Sequence, residues 1–319
     1  MPPATPAPAT PSPAAPSPAE GCPADSGARP AADAATGSAS LPSNAAEAIA
    51  RSRAEAQREL ARAIGALAAS FVIDWRVECA STNSVLLDAT PADDGRVHVV
   101  VAERQSAGRG RRGRQWLSWD GASLTFSTLW RFAPGAPVPA GLSLVAGIAV
   151  ARALEQLGVQ GVQLKWPNDV LVHGDKLAGI LVELLPGRGR TPAAVIGIGI
   201  NLALPAHAQI PDQAGVTDLA RALQSPPPAP GIVLAGVLVE LQRLLDTYAA
   251  AGFGALRGAW QQRNAFADLP VRICSDQDAL EGICSGVDED GALLLCTEAG
   301  MRRVLVGDVS LRPLPGAKG

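Results

Sequence analysis

Short apolar runs alternate with helical patterns through the central part of the chain, about residues 71 to 268. The runs have the length and the β-branched content that are typical of strands. Five runs are predicted as strands: 71–77, 97–102, 124–130, 179–184 and 193–200. Two longer segments, 142–157 and 232–250, have the apolar faces of packed helices. This alternation predicts a mixed α/β domain over residues 71–268.

From residue 269 the pattern changes to short β runs separated by polar turns. The predicted strands are 270–274, 281–287, 292–296 and 302–306. Asp290 and Gly291 form the dipeptide that is typical of a tight hairpin. The pattern therefore predicts a separate small β-barrel over residues 269–315.

The N-terminal part has a different composition. Residues 1–43 contain 11 prolines and 13 alanines, so they can bury too little apolar surface to offset the entropy of ordering and are predicted to be disordered. A polyproline II segment that binds a partner stays an alternative. Residues 44–70 predict one amphipathic helix, in which Asn44 and Glu47 stand in capping-box relation. A winged-helix DNA reader needs about three helices, so DNA binding is not expected.

The bulk composition argues against several classes of partner. The net charge is −3 and the pI is about 5.7, so no global positive field attracts nucleic acid or an anionic membrane. No apolar run has the length of a membrane span, and the N-terminus does not resemble a signal peptide. The five cysteines are widely spaced and lack metal-ligand spacing. We therefore expect a cytoplasmic protein with reduced thiols.

Residues 103–116 contain five arginines and three glycines directly after an apolar run. Glycines let the backbone approach a ligand closely, and each guanidinium offers a planar fork of donors to phosphate or carboxylate oxygens. The segment lacks the GxxxxGK[ST] pattern of a phosphate loop. It predicts a loop that binds anions, although a solvated basic loop or a nucleic-acid patch would have the same composition.

A second cluster begins with Lys165-Trp166-Pro167-Asn168-Asp169 and continues from Lys176 to Glu183. The segment predicts a β-hairpin bracketed by two lysines and an aspartate. Asp169 could hold Mg²⁺ against phosphates, because Mg²⁺ usually takes one or two carboxylates and completes its shell with water and phosphate oxygens. An ordinary turn with a solvated lysine is the simpler alternative.

Two weaker motifs complete the candidates. The segment 78–84 places hydroxyl and amide groups at a predicted strand-to-helix junction, where they could also form an ordinary N-cap. The segment 197–201, Gly-Ile-Gly-Ile-Asn, ends a strand with two glycines and one amide. No serine or cysteine nucleophile with a base is evident, and the three histidines are scattered. The remaining cations and carboxylate suit chemistry on phosphates that depends on positioning and electrostatics.

The order of these motifs closely resembles the biotin–protein ligases over roughly residues 71–312. The resemblance rests on Ser81-Thr82-Asn83, on Gln105 through Trp116, on 165–169, on 176–183 and on 197–201. It implies a mixed-sheet α/β (α+β) catalytic domain of the biotin/lipoate ligase type, followed by an SH3-like β-barrel. It also implies an enzyme that adenylates biotin with ATP and Mg²⁺ and transfers it to a lysine of a biotin carboxyl carrier domain. The bifunctional repressor-type members begin with a winged helix, so the chain resembles the monofunctional type.

The resemblance also implies roles for single residues. Catalytic roles fall to Lys176, Arg111 and Asp169, and Asp169 would also hold the metal. Biotin would be surrounded by Ser81, Thr82, Asn83, Gln105, Arg109, Gly110, Arg111, Lys176 and Gly179. ATP would contact Arg111, Arg112, Arg114, Trp116, Lys165, Asn168 and Asn201.

Two alternative functions stay open. A lipoate ligase has a related fold and also adenylates an acid before transfer to a lysine, although the Arg-rich run together with Lys-Trp-Pro-Asn-Asp favours biotin. A nucleotide- or nucleic-acid-binding module could use the same basic loop without catalysis, although Asp169, Lys176 and the acidic net charge count against it. We expect a monomer or a weak homodimer, since an edge strand could pair with a second copy.

Overall fold

The computed structural model describes residues 43–133, 140–185, 192–206, 208, 215–274, 279–305 and 310–314, with the backbone alone at 43–52 and 310. The predicted tail, residues 1–43, lies outside the described residues apart from Ser43. The capping-box side chains of Asn44 and Glu47 also lie outside them. Among the described residues, no helix combines the length and the apolarity needed to cross a membrane.

The predicted mixed α/β fold class is confirmed. A seven-stranded sheet has the order β1-β2-β3-β7-β6-β5-β4, in which β1 and β2 run parallel and the other neighbours run antiparallel. Its strands are β1 (Phe71–Cys79), β2 (Val97–Gln105), β3 (Ser123–Arg131), β4 (Val162–Lys165), β5 (Asp169–Val172), β6 (Asp175–Leu185) and β7 (Ala193–Asn201). The helices are α1 (Ser43–Ile64), α2 (Thr82–Asp88), α3 (Leu142–Gln156), α4 (Leu219–Leu223), α5 (Pro230–Ala251) and α6 (Arg257–Gln261).

The two faces of the sheet are covered differently. The long helices α3 and α5 pack together and form the main core with residues such as Val101, Phe126 and Ile198. On the opposite face the short helix α2 packs on the sheet through Leu86, which contacts a small cluster that includes Val100. Because α2 has only two turns, it leaves much of that face free for a site.

The predicted N-terminal helix ends earlier than expected. The α-helix stops at Ile64, and residues Gly65–Ser70 form a 3₁₀ helix because Gly65 adopts a positive φ of 58°. Leu60 and Ile64 are buried, as the amphipathic pattern requires, and α1 packs against α5. The first helix is therefore part of the main core.

Gly231 on α5 allows this close approach of α1, and we expect Gly231→Ala to destabilise the protein. A Cβ at Gly231 would lie 2.1 Å from the Ala56 carbonyl oxygen. Overpacking of this kind costs about 1–3 kcal/mol, partly offset by the better helix propensity of alanine. We expect a decrease of about 2–8 °C in the thermal unfolding midpoint. Gly236→Ala is the matched control on the same helix, since its Cβ would have an ordinary 3.5 Å contact. Equal midpoints for the two variants would contradict the packing of α1.

The C-terminal part is a five-stranded antiparallel sheet of order β11-β10-β9-β8-β12. Its strands are β8 (Pro270–Cys274), β9 (Ala279–Val287), β10 (Leu293–Thr297), β11 (Gly300–Val304) and β12 (Ser310–Pro313). The strand predicted at 302–306 begins two residues earlier, and Val306 lies outside the described residues. The buried Trp166 indole donates a 3.1 Å hydrogen bond to the Gly291 carbonyl oxygen, so the hairpin at Asp290-Gly291 joins this part to the first domain.

The cysteines agree only in part with the expected reduced thiols. Cys79, Cys284 and Cys296 are free thiols. Cys274 is disulfide-bonded, so the expectation is wrong at that residue.

Candidate active site

A row of small residues crosses the free face of the sheet. Strand register places Thr125 opposite Gly199, Gly199 opposite Gly179, and Gly179 opposite Asp169. Asp169 in turn pairs with Lys165 on the edge strand β4. Because directly opposed residues point to the same face, the row forms a floor of hydroxyl and glycine that ends in a charged pair.

Neutral polar groups fill the end of the site next to α2. Ser127 donates to Asn83 Oδ1 at 2.5 Å, and its hydroxyl oxygen lies at a hydrogen-bond distance of 2.7 Å from Thr82 Oγ1. Gln105 accepts from the Thr82 amide at 2.8 Å. Ser81 occupies the N-cap position of α2 but forms no side-chain capping bond, so the simple N-cap interpretation does not explain it. These buried groups favour a small polar ligand.

Gly197 makes room for this network. A Cβ at Gly197 would lie 2.1 Å from Asn83 Oδ1, which is far closer than a carbon and an oxygen can approach. Gly199 has the same function for Trp116, because a Cβ there would lie 2.3 Å from the indole ring. Both glycines of the 197–201 motif are therefore needed sterically, because each leaves room for a side chain that packs against it.

The arginine-rich segment forms a short hairpin over the floor. Gly110 donates to the Arg114 carbonyl at 2.7 Å, and Trp116 donates to the Gly108 carbonyl at 3.0 Å. A 3₁₀ turn, Arg111–Gly113, forms its tip. The hairpin brings Trp116 onto the glycine floor, and the Arg111 guanidinium donates to Asn168 Oδ1 at 3.2 Å.

The opposite end of the site holds a cluster of charges around Asp169. Lys176 Nζ lies 2.8 Å from Asp169 Oδ1, and Lys165 Nζ lies 4.0 Å from Asp169 Oδ2. Within the part of the chain that the structure describes, Asp169 Oδ1 makes no hydrogen bond of good geometry, and the buried Arg114 Nε and Trp116 Nε1 have no hydrogen-bond partner. Unsatisfied donors beside lysines provide binding capacity for an anionic ligand.

The protonated form of Lys165 is destabilised by burial in the free protein. Burial lowers the pKa of Lys165 from its usual 10.5, the neighbouring Asp169 raises it, and Lys176, Arg312 and Arg114 lower it further. Between the lowered folded pKa and 10.5 the unfolded chain binds more protons than the folded chain. The stability contributed by Lys165 therefore rises with pH through that window and is lowest below it. Destabilised buried charges of this kind are typical of functional sites that bind a charged ligand.

We therefore expect Lys165→Met to raise the unfolding midpoint of the free protein at neutral pH. Removal of the buried charge should raise the midpoint by about 2–4 °C, as a gain of about 1 kcal/mol does, and stability should depend less on pH below 10.5. Lys165→Arg keeps the charge and is the control for shape. A Lys165→Met protein that melts at or below the wild-type midpoint would contradict the assignment.

One cavity brings nearly all predicted site residues together, and it holds about 930 Å³ including its open mouth. The predicted residues that line it are Ser81, Thr82, Asn83, Gln105, Arg109, Gly110, Arg111, Arg112, Arg114, Trp116, Lys165, Asn168, Asp169, Lys176 and Gly179. Among the described residues, six cationic side chains and one carboxylate line the cavity, so this part of the surface is strongly positive on a protein with net charge −3.

Asn201 is the one predicted site residue that does not line this cavity. Its buried amide donates to the Thr217 carbonyl at 3.0 Å, and the Thr217 amide donates to the Lys176 carbonyl at 3.0 Å. Asp218 caps α4 and accepts from the Leu204 amide. Asn201 thus supports the segment beside Lys176.

Sequence reasoning missed several residues of the site. Ser127 escaped notice because it lies inside an apolar strand, although Ser123, Thr125 and Ser127 alternate with apolar residues there and signal a polar face. Glu183 ends the 176–183 motif, and its sequence context indicates no role, yet it contacts Asn83 and Arg109. Leu311 of β12 also lines the cavity, a contact across domains that has no local sequence signal.

Known proteins with similar sequences fit this geometry. Residues 79–201 match the biotin/lipoate A/B protein ligase family, and residues 270–312 match the biotin protein ligase C-terminal domain. The bifunctional ligase/repressor BirA of Escherichia coli is 37% identical over 255 residues, which cover 78% of this chain and 74% of that protein. The biotin–[acetyl-CoA-carboxylase] ligase of Paracoccus denitrificans is 35% identical over 240 residues, covering 72% of this chain and 96% of that protein.

Solved structures agree with the sequence relatives. The biotin protein ligase from Aquifex aeolicus in complex with biotin and ATP has a TM-score of 0.66 and 30% identity, and the match covers 76% of this chain and 98% of that chain. The fold, the order of the two family matches along the chain and the sequence identity all indicate the same family. The chain belongs to the biotin protein ligase family of enzymes.

Proposed function

We propose that the protein forms biotinyl-5′-adenylate from biotin and MgATP, releases pyrophosphate, and transfers biotin to a lysine of a biotin carboxyl carrier domain, such as that of acetyl-CoA carboxylase. The observation that carries the proposal is the polarity of the row across the sheet. Neutral donors and acceptors lie at the α2 end, and a cation cluster lies at the β4–β5 end. A ligand with a neutral polar ring and an acidic tail would span that row, and its tail would meet the nucleotide phosphates.

Biotin has a ureido ring that both donates and accepts hydrogen bonds, and the α2 end offers both kinds of partner. Ser81, Thr82, Asn83 and Gln105 would surround the ring, and the backbone of Arg109–Arg111 would close over it. Gly179 leaves space for the side chains of Trp116 and Lys176, since a Cβ there would lie 3.1 Å from the Trp116 ring and 3.2 Å from Lys176 Nζ. Lys176 would bind the carboxylate at the end of the ligand's chain.

The triphosphate would lie at the cationic end. Arg111, Arg112, Arg114 and Lys165 would meet phosphate oxygens, and Asn168 orients Arg111. Trp116 offers a flat apolar face for the adenosine portion. Asn201 does not line the cavity and would act through Thr217.

Magnesium fits this site only together with the nucleotide. Among the described residues, no group of three or more His, Cys, Asp or Glu side chains is arranged to hold a metal. Asp169 alone would supply a carboxylate oxygen, and phosphates and water would complete the shell, as Mg²⁺ prefers. When bound, Mg²⁺ would neutralise phosphate charge.

Both chemical steps develop charge on phosphate oxygens. In the first step a biotin carboxylate oxygen bonds to the α-phosphorus, and the bond from that phosphorus to pyrophosphate breaks. In the second step the carrier lysine amine bonds to the acyl carbon and AMP leaves. Arginine and lysine donors stabilise the charge in both steps. A closed hairpin would keep water from the mixed anhydride.

The transfer step is tested with a purified carrier domain, MgATP and biotin. We expect biotin to be incorporated into the carrier, detected by avidin blotting and by intact mass. A carrier whose acceptor lysine is replaced by arginine is the control and should remain unlabelled. Adenylate formation without labelling of the intact carrier would contradict the second step.

Two further expectations accompany this function. We infer a cytoplasmic enzyme, because the proposed reaction consumes ATP and because Cys79, Cys284 and Cys296 are free thiols. We also infer that the protein does not bind DNA and acts as a monomer or weak homodimer. DNA retention that persists in competition with polyanionic heparin would contradict the inference that the protein does not bind DNA.

A further inference from the structure

We propose that Glu183 is a positioning residue for this reaction. It holds α2, at the biotin end of the cavity, and the arginine-rich hairpin in fixed positions on the sheet. The proposal rests on the function proposed above. Glu183 lies on β6, and its Oε2 accepts two hydrogen bonds of 2.7 Å, one from Asn83 Nδ2 and one from the Arg109 guanidinium. One carboxylate oxygen thus joins α2 and the hairpin to the central sheet.

The contact with Asn83 determines which way the amide faces. A carboxylate only accepts hydrogen bonds, so the NH₂ group of Asn83 must point toward Glu183. The carbonyl oxygen of Asn83 then points toward Ser127, which donates to it at 2.5 Å. The Asn83 side chain is only 3% exposed, so loss of Glu183 leaves a buried donor with only the weaker 3.3 Å bond to the Leu181 carbonyl.

The contact with Arg109 fixes the hairpin at its base. Arg109 forms a bridge with Gln115 across the hairpin, so an anchor at Arg109 also restrains the arginines at the tip. Arg109 and Glu183 both line a second cavity on the outer side of the hairpin. The ion pair therefore closes part of the wall between the site and the surface, where an acyl-adenylate would escape.

The two contacts can be separated by substitution. Glu183→Gln is nearly isosteric, and its amide oxygen can still accept from Asn83, but the ion pair with Arg109 is lost. Glu183→Ala removes both contacts. The charge lost in Glu183→Gln is partly exposed, with Arg109 42% and Glu183 27% exposed, so its effect should be moderate. The buried donor of Asn83 makes Glu183→Ala the more severe change.

The experiment measures the KM for biotin and the rate at which preformed biotinyl-adenylate leaves the enzyme in a chase. We expect Glu183→Gln to speed adenylate release about fivefold, with the KM for biotin within about twofold of wild type. We expect Glu183→Ala to raise that KM about tenfold as well. Arg109→Gln should also speed release about fivefold, and the double variant Glu183→Gln/Arg109→Gln should be no faster than either single variant.

Glu281→Gln is the matched control, because Glu281 forms an exposed ion pair with Arg272 on the C-terminal sheet. It should leave both quantities unchanged. Multiplicative effects of the two single changes, or a Glu183→Ala enzyme with wild-type KM and release rate, would overturn the proposal. Wild-type protein that shows no biotin-dependent pyrophosphate release would instead refute the function on which the proposal rests, so the two failures are distinguishable.

Discussion

Lys176→Ala should reduce biotin-dependent pyrophosphate release by about 10²–10³-fold, the usual effect of removing one preorganised electrostatic group. Lys176 Nζ lies 2.8 Å from Asp169, and its side chain is 18% exposed at the cationic end of the cavity. It is the cation best placed for the carboxylate of a ligand that lies along the glycine row. Without Lys176, Asp169 repels that carboxylate, and Lys165 Nζ lies 4.0 Å from Asp169 Oδ2, too far to form a hydrogen bond with it. Steady-state pyrophosphate assays at saturating MgATP measure the effect.

The Lys176→Ala protein should still fold. The side chain is near the surface, so we expect its unfolding midpoint to stay within about 5 °C of wild type. Arg96→Ala removes the cation of an ion pair with Asp94 that lies outside the residues lining the cavity, and it should keep full activity. Normal turnover of a folded Lys176→Ala protein would show that the charged end of the cavity is assigned wrongly.

Gly197→Ala should raise the KM for biotin by about 10–100-fold and leave the KM for ATP within about threefold. The new methyl group would lie 2.1 Å from Asn83 Oδ1. Asn83 must then move and lose buried hydrogen bonds to Ser127 and Glu183, each worth about 1–3 kcal/mol when a partner is left unsatisfied. Titration with biotin at fixed MgATP gives the two constants.

Gly258→Ala is the control for the Gly197 prediction. Gly258 lies on α6, and a Cβ there would have no neighbour within 4 Å. Its kinetics should be those of wild type. A Gly197→Ala enzyme with an unchanged KM for biotin would show that the ligand ring does not lie against Asn83.

The fold class could be predicted from sequence because both halves carry strong local patterns. Val97–Gln105 and Ala193–Asn201 are apolar strands bounded by polar or glycine-rich segments. Residues 270–304 have the short runs of an antiparallel sheet. The exact helix ends could not be predicted, since the stop at Ile64 depends on one glycine with positive φ.

Most residues of the site could also be predicted from the sequence, because they belong to local motifs that are rich in charged residues and glycines. Composition and order single out Arg109–Arg112, Arg114, Lys165–Asp169 and Lys176, and all of these residues line the cavity. The strand register that aligns Asp169, Gly179 and Gly199 in one row was not readable, because pairing between distant strands depends on tertiary structure. The same limit explains Asn201, which ends a strand of the site but turns toward Thr217.

Side-chain partners across distant segments were the hardest to infer. Glu183 contacts residues 74 and 100 positions earlier in the chain, and Trp166 contacts the C-terminal sheet. Nothing local in the sequence distinguishes these residues from ordinary strand and turn positions. Their contacts depend on the folded arrangement alone.

The most direct test of the account is to incubate the purified protein with MgATP and either biotin or lipoate, and to measure pyrophosphate release and the acyl-adenylate that stays bound. We predict release with biotin, together with biotinyl-adenylate retained on the enzyme, and little release with lipoate. Release with lipoate alone would keep the chemistry but contradict the assigned substrate. Release with neither acid would contradict the account and favour a binding module without catalysis.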